Sequence, residues 1–220
     1  MPLRHRRRTG GLLLAVAVLT ACGQMPDLAG TRIPDVALDA YRSAAAAAPS
    51  VSADCAVAWE LVAGIARVES NHGRSGGRRR TDATGDVSPA IRGLPLDGTG
   101  GRLAIPDTDD GALDGDATWD RAMGPLQFIP TTWLQLGRDG NGDGVADPDN
   151  LYDAALTAVA HLCLREPGDY ADRAQLRRAL LDYNASASYA DEVLTWIDRY
   201  RDTPLEELVL RSASAAPSGG

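Results

Sequence analysis

The chain has 220 residues, 44% hydrophobic and 24% charged, proportions of a globular protein rather than a disordered one. Thirty acidic residues outnumber 22 basic ones, all of them Arg, for a net charge of -8, which disfavours general binding to nucleic-acid phosphates. Three Cys are too few for a disulfide-stapled miniprotein or a four-thiolate zinc site, and a single Phe leaves the core to Ala, Leu, Val and Ile.

Residues 1–11 hold four Arg and no acid, and Leu12 to Leu19 follow as a short apolar run. The run is well under the ~20 residues that span a bilayer. A basic start and a short apolar stretch read as an export signal, residues 1–21. Its end, Leu19-Thr20-Ala21-Cys22, resembles the lipobox of bacterial lipoproteins, which implies a lipid on Cys22 and a protein held at the outer face of the cell membrane. The alternative is an ordinary signal peptide with a chance Cys nearby. Without residues 1–21 the chain keeps 18 Arg against 30 acids, a charge of -12. Export makes Cys55 and Cys163 a natural disulfide pair; the alternative is two free buried thiols.

Residues 22–53 are rich in Ala, Pro and Ser and read as a tether, with the Ala44–Ala48 stretch transiently helical. From there, Ala58, Leu61, Val62, Ile65, Ala66 and Glu69 recur at three- and four-residue steps, which predicts a helix with Asp54 as its N-cap. Asn71, His72 and Gly73 end it. Residues 73–118 show no helix or strand period and read as a long loop insertion. Helical patterning resumes around Gly124–Leu136 after a Pro-interrupted start, with Gly124 and Pro125 making a tight entry, then over Tyr152–Leu164, 172–183 and 188–200, with a Gly/Asp-rich loop at 137–150. The compact domain is expected over 54–205, with a tail at 206–220.

Four segments carry chemistry. Glu69 sits at the end of an apolar helix, where poor solvation would raise its pKa and suit it to general acid work. In Ala122–Trp133, Gln127 offers an amide to sugar hydroxyl and acetamido groups, and Trp133 is either a sugar-stacking face or core. Asp139, Asn141 and Asp143 alternate with Gly as in the opening of an EF-hand, with Val145 offering a carbonyl. Position 12 is Asn150 where a Glu is usual, so a further ligand is needed, and Asp153 is the nearest. Tyr183–Asn184 alone reads only as a helix end with an Asn cap.

VESNHG, AMGPLQFIPTTW, DGNGDG with NLYDAA, and LDYNASASYADEVL, in that order, resemble the membrane-bound type B lytic murein transglycosylases, in their exported actinobacterial form. The resemblance runs from about residue 54 to 203. It implies a mainly α-helical fold like goose-type lysozyme, with a glycan groove. It implies cleavage of the β-1,4 bond between N-acetylmuramic acid and N-acetylglucosamine in peptidoglycan, with Glu69 as sole acid/base and a 1,6-anhydro product. Gln127, Tyr183 and Asn184 fall on groove residues. The calcium ligands fall on Asp139, Asn141, Asp143, Val145 and Asp153, with the ion structural. The family's serine ahead of the Gln segment has no clear counterpart here; Thr118 or Asp120 stands in its region. Groove shape rather than net charge is expected to govern binding. A same-fold muramidase, or a non-catalytic wall-binding lipoprotein, is the rival reading.

Overall fold

The computed structural model describes residues 32–168 and 170–210. The export signal, Cys22 and residues 211–220 lie outside them. The described chain runs β1 (Ile33–Pro34), α1 (Asp35–Val51), α2 (Trp59–Ser70), β2 (Arg80–Thr81), β3 (Val87–Ser88), a 3-10 turn (Thr99–Gly101), α3 (Pro130–Leu136), α4 (Leu151–Arg165), α5 (Arg173–Tyr183), α6 (Ala187–Asp202), α7 (Leu205–Leu208) and β4 (Val209–Leu210). The fold is mainly helical.

Helix α4 is the axis of the core. Its buried residues, from Leu151 through Cys163, lie on every face, as expected of a helix surrounded by others. Asn150 caps it, its side-chain oxygen accepting from the backbone N–H groups of Tyr152 and Asp153. Helix α1 packs most extensively on α4, and α2 on α6. The second crossing is close: a Cβ on Gly64 would lie 2.9 Å from Ile197 Cγ1 and 3.2 Å from the Val193 carbonyl. Any larger residue at 64 pushes α2 off α6. Asp172 and Ser186 cap α5 and α6 through their side chains.

The sequence boundaries shift at both ends. The stretch 22–53, expected to be a tether, forms α1 over 35–51, with Ala37, Leu38, Ala40, Tyr41, Ala44 and Ala48 buried. Ala side chains let two helices approach closely, so a stripe of small residues buries as well as a stripe of Leu. At the other end, Leu208 is fully buried and β4 pairs in parallel with β1, Ile33 with Val209 and Pro34 with Leu210. The compact body therefore extends at least over 33–210. Asp54 caps nothing: α2 begins at Trp59 after Ala58, and Cys55 is instead bonded to Cys163. The bond ties the approach to α2 to the end of α4 across 108 residues. The long insertion folds as irregular turns with one short antiparallel pair, Arg80 opposite Ser88 and Thr81 opposite Val87.

Candidate active site

Glu69 lies in the last turn of α2, and what fixes its position is how that helix stops. Asn71, His72 and Gly73 take consecutive left-handed conformations (φ 54°, 59° and 77°). The His72 N–H bonds back to the Ala66 carbonyl at 3.0 Å. The His72 ring is fully buried between two hydroxyls, Nδ1 to Tyr41 at 3.1 Å and Nε2 to Tyr200 at 3.0 Å. Burial holds its pKa well below 6.5, with Arg74 and Arg67 adding to the effect. A neutral ring offers one donor and one acceptor, which two hydroxyls can satisfy together. This link ties the end of α2 to α1 and α6. Ser70 ties it to the 124–128 turn, donating to the Pro125 carbonyl at 2.5 Å and accepting the Gly73 N–H at 2.7 Å.

That turn forms the floor. Residues 124–129, expected to open a helix, instead fold back, with Met123 and Phe128 exchanging backbone hydrogen bonds at 2.8 and 3.0 Å. The helix starts only at Pro130, which supplies the fixed φ of a first helical turn. Gln127 has φ 54°, and its side-chain Nε2 donates to the Gly124 carbonyl at 2.8 Å. Its Oε1 stays available to the groove. Gly124 has φ 70°, and a Cβ there would sit 1.7 Å from the Pro148 carbonyl oxygen, so no other residue fits.

The groove has a volume of about 710 Å³. Glu69 is at its base. One wall is the loop from Leu96 to Ile105; the floor is Gln127–Ile129; α3 adds Thr131, Thr132 and Gln135; the far wall is the end of α4 and residues 182–185. Of the expected groove residues, Glu69, Gln127, Tyr183 and Asn184 all line this one space. Desolvation raises the Glu69 pKa from 4.5 to about 7. The Tyr189 hydroxyl opposes that shift by favouring the ionised carboxyl. Tyr189 is buried, its hydroxyl finds no other well-formed hydrogen bond, and its own pKa is pushed up by burial and by Glu69. It is a site residue missed from the sequence, where one Tyr five residues after Asn184 gives no signal.

Tyr183 donates its hydroxyl to the Leu126 carbonyl at 3.0 Å, so it braces the floor. Burial, and secondarily Glu69, raise its pKa well above 10, which keeps it a neutral donor. Its ring packs on Phe128 and edge-on to His161. Trp133 is 4% exposed and packs on Phe128. It is core, not a sugar-stacking face. Neither Thr118 nor Asp120 lines the groove. Asp120 is fully buried and accepts from the Thr108 N–H at 2.9 Å and the Thr131 hydroxyl at 3.4 Å, so it buttresses the wall.

The 139–153 loop lies apart from Glu69 and offers only oxygen donors. Asp139 accepts from the N–H groups of Gly142 and Gly144, Asn141 from Asp143, and Asp143 from Val145, which coils the loop. Asp153 is fully buried beneath it and accepts from Gly140, Asn141 and Asp147. Desolvation raises its pKa, and those N–H groups hold it down in part. Carboxylate and amide oxygens of this kind, with one desolvated carboxylate among them, are the chemistry a hard divalent cation takes. Asn150 departs from the usual Glu because it caps α4 and donates to Thr84 and Asp86. The tightest trio of carboxylates among the described residues is elsewhere, Asp107, Asp109 and Asp120, with oxygens within 4.8 Å of one another.

Residues 107–168 match the family model of the Transglycosylase SLT domain. No curated protein matches the chain. Among solved structures, the chain is similar to Escherichia coli lytic transglycosylase Slt35 in complex with calcium, at 18% identity and TM-score 0.47, over 79% of this chain and 74% of that one. A second structure of Slt35, in complex with bulgecin A, gives the same identity and coverage at TM-score 0.44. No helix among the described residues is long and apolar enough to cross a membrane. The matched segment supplies the groove floor, α3, the 139–150 loop and α4, so what this chain shares with the Transglycosylase SLT domain is the part that builds the groove opposite Glu69.

Proposed function

We propose that the protein cleaves the β-1,4 bond between N-acetylmuramic acid and N-acetylglucosamine, and that Glu69 alone serves as acid and then base. The observation that carries this is one carboxyl at the base of the groove whose pKa is lifted to about 7 by desolvation. At neutral pH a large fraction of it holds the proton that the glycosidic oxygen needs. Two-carboxylate glycosidases place a second carboxylate to attack or to activate water. Here the other groove carboxylate, Asp182, is on the far wall, 3.8 Å from His161.

Protonated Glu69 donates to the leaving oxygen as the anomeric carbon gains positive charge, and the sugar's own 2-acetamido group assists. Ionised Glu69, favoured by the Tyr189 hydroxyl, then takes the proton of the muramic 6-hydroxyl. That oxygen closes on the anomeric carbon to give the 1,6-anhydro end, and no water is consumed. Gln127 Oε1 and Asn184, which line the groove, would hold the acetamido group, and Tyr183 would act through the floor. Asp139, Asn141, Asp143, Val145 and Asp153 would hold a structural Ca²⁺, which would brace the loop behind Gly124. Export with a lipid on Cys22 would place the enzyme on the outer membrane face, towards the wall.

The test is mass spectrometry of fragments released from purified peptidoglycan by the protein and by Glu69→Gln. Muramic ends one water lighter than hydrolysis products, absent with Glu69→Gln, are expected. Ordinary reducing ends would make it a muramidase and overturn the intramolecular step.

A further inference from the structure

Past Glu69 the groove continues between α3 and the C-terminal half of α4. Thr131 and Gln135 face it from α3; His161 and, one turn on, Arg165 face it from α4. The charges along it are unevenly matched. Arg102, on the loop wall, is tied to Asp97 at 3.0 Å and to the Pro95 carbonyl. His161 stays neutral at pH 7: desolvation takes its pKa down to about 4, Asp182 pulls it up and Arg165 pushes it down. Asp182, exposed, is set against that neutral ring. Arg165 is exposed at the groove edge and makes no ion pair or side-chain hydrogen bond among the described residues. In a chain of charge -8, a guanidinium at the groove rim with no ion-pair partner among the described residues is a local exception.

We infer that Arg165 selects strands that carry peptides, by taking a carboxylate of the stem peptide as the glycan lies in the groove. The inference rests on the proposed peptidoglycan substrate. Muramic acid carries its peptide through a lactyl group, so each stem peptide projects from the strand and brings carboxylates within reach of the groove edge. A guanidinium matches a carboxylate in two parallel hydrogen bonds, which an ammonium cannot do. Neutral His161 and exposed Asp182 beside it suit the amide and amine groups of such a peptide. The competing role for Arg165 is to offset the C-terminal dipole of α4, in whose last turn it lies. That role alters stability and is blind to the substrate.

The experiment compares wild type, Arg165→Gln and Arg165→Lys on peptide-bearing strands and on strands stripped of peptide by an amidase. The expected result is that Arg165→Gln lowers the ratio of kcat/KM on bearing over stripped strands about tenfold, the effect of one charge-assisted contact at a partly exposed site, carried by KM. Arg165→Lys recovers part of the ratio, and raised salt erodes the wild-type preference. An unchanged ratio, whatever loss both substrates share, overturns the inference and leaves the dipole role. If wild type cleaves neither polymer, the substrate proposal has failed. Calorimetric binding of the same two polymers then decides: equal affinity of wild type and Arg165→Gln for bearing strands overturns the inference, and a tenfold weaker variant sustains it.

Discussion

Replacing Glu69 with Gln should stabilise the protein in a pH-dependent way while removing its activity. The fold raises this carboxyl from 4.5 to about 7, a shift of about 2.5 pH units. At ~1.36 kcal/mol per unit, the ionised form carries a penalty of about 3 kcal/mol relative to the unfolded chain. Because the folded pKa lies above the unfolded one, the native state holds the proton longer. Glu69 therefore costs nothing below about pH 4.5, and its cost grows as pH rises to about 7 and is constant beyond. Gln has nearly the same shape and never ionises. At pH 8 Glu69→Gln should gain about 3 kcal/mol, the opposing pull of the Tyr189 hydroxyl being already contained in the value of about 7. For a domain of this size that is a Tm rise of roughly 6–10 °C. At pH 4.5 the two proteins should melt together. Thermal unfolding by circular dichroism from pH 4.5 to 8 reads both. An offset that stays constant across that range would refute the claim that desolvation sets the Glu69 pKa, and with it the reason for choosing Glu69 as the acid. The same pKa requires kcat/KM to fall as pH climbs through about 7.

Gly124→Ala should lose ~3 kcal/mol or more and most activity, because its Cβ would meet the Pro148 carbonyl at 1.7 Å, whereas Gly142→Ala, with open space around it, should cost only ~1 kcal/mol; paired thermal melts decide. Replacing Cys55 and Cys163 together with Ser should lower stability by about 4–5 kcal/mol, the chain-entropy value for a loop of 108 residues, and an unchanged denaturant midpoint would contradict it. Adding Ca²⁺ to metal-stripped protein at about 100 times its Kd should stabilise it by ~2.7 kcal/mol, and Asp153→Asn should abolish the gain; identical melts in chelator and in excess Ca²⁺ would count against the loop as a cation site.

Three helices, α2, α5 and α6, are legible from periodicity because many of their buried positions are large. Leu61, Ile65, Leu176, Val193 and Ile197 recur at helical steps, and each is buried. Helix α1 is not legible by that rule. Its buried stripe is mostly Ala, it contains Pro49, and only contact with another helix distinguishes it from a flexible Ala-rich segment. The Gln127 segment was legible in part: Gly124 and Pro125 signalled a tight entry, but the turn runs on to Ile129, with φ 54° at Gln127 and φ 70° at Gly124, and the helix starts only at Pro130. Glu69 and Gln127 were expected at the groove from the resemblance of their segments rather than from either residue alone, and both line it. Tyr189 was not, since its significance lies in reaching Glu69 across the gap between α6 and α2. His72 was read only as a helix stop, yet its two hydroxyl partners come from residues 31 positions before it and 128 after.

The parallel pairing of β1 with β4 also sets how the domain bears force. A pull on the segment ahead of Arg32 runs along the β1 strand axis and loads the β1–β4 hydrogen bonds in shear, together rather than one by one. If they part, α1 can peel from α4, but unravelling from that end stops at Cys55, which is covalently held to the end of α4. The groove, Glu69 and the His72 side of α2 lie beyond that stop. The crosslink thus divides the chain into an outer segment that can yield and an inner body that keeps its connection to α4. A protein hauled by its N-terminal end while its groove is held would lose α1 and its Tyr41 contact before it lost α2.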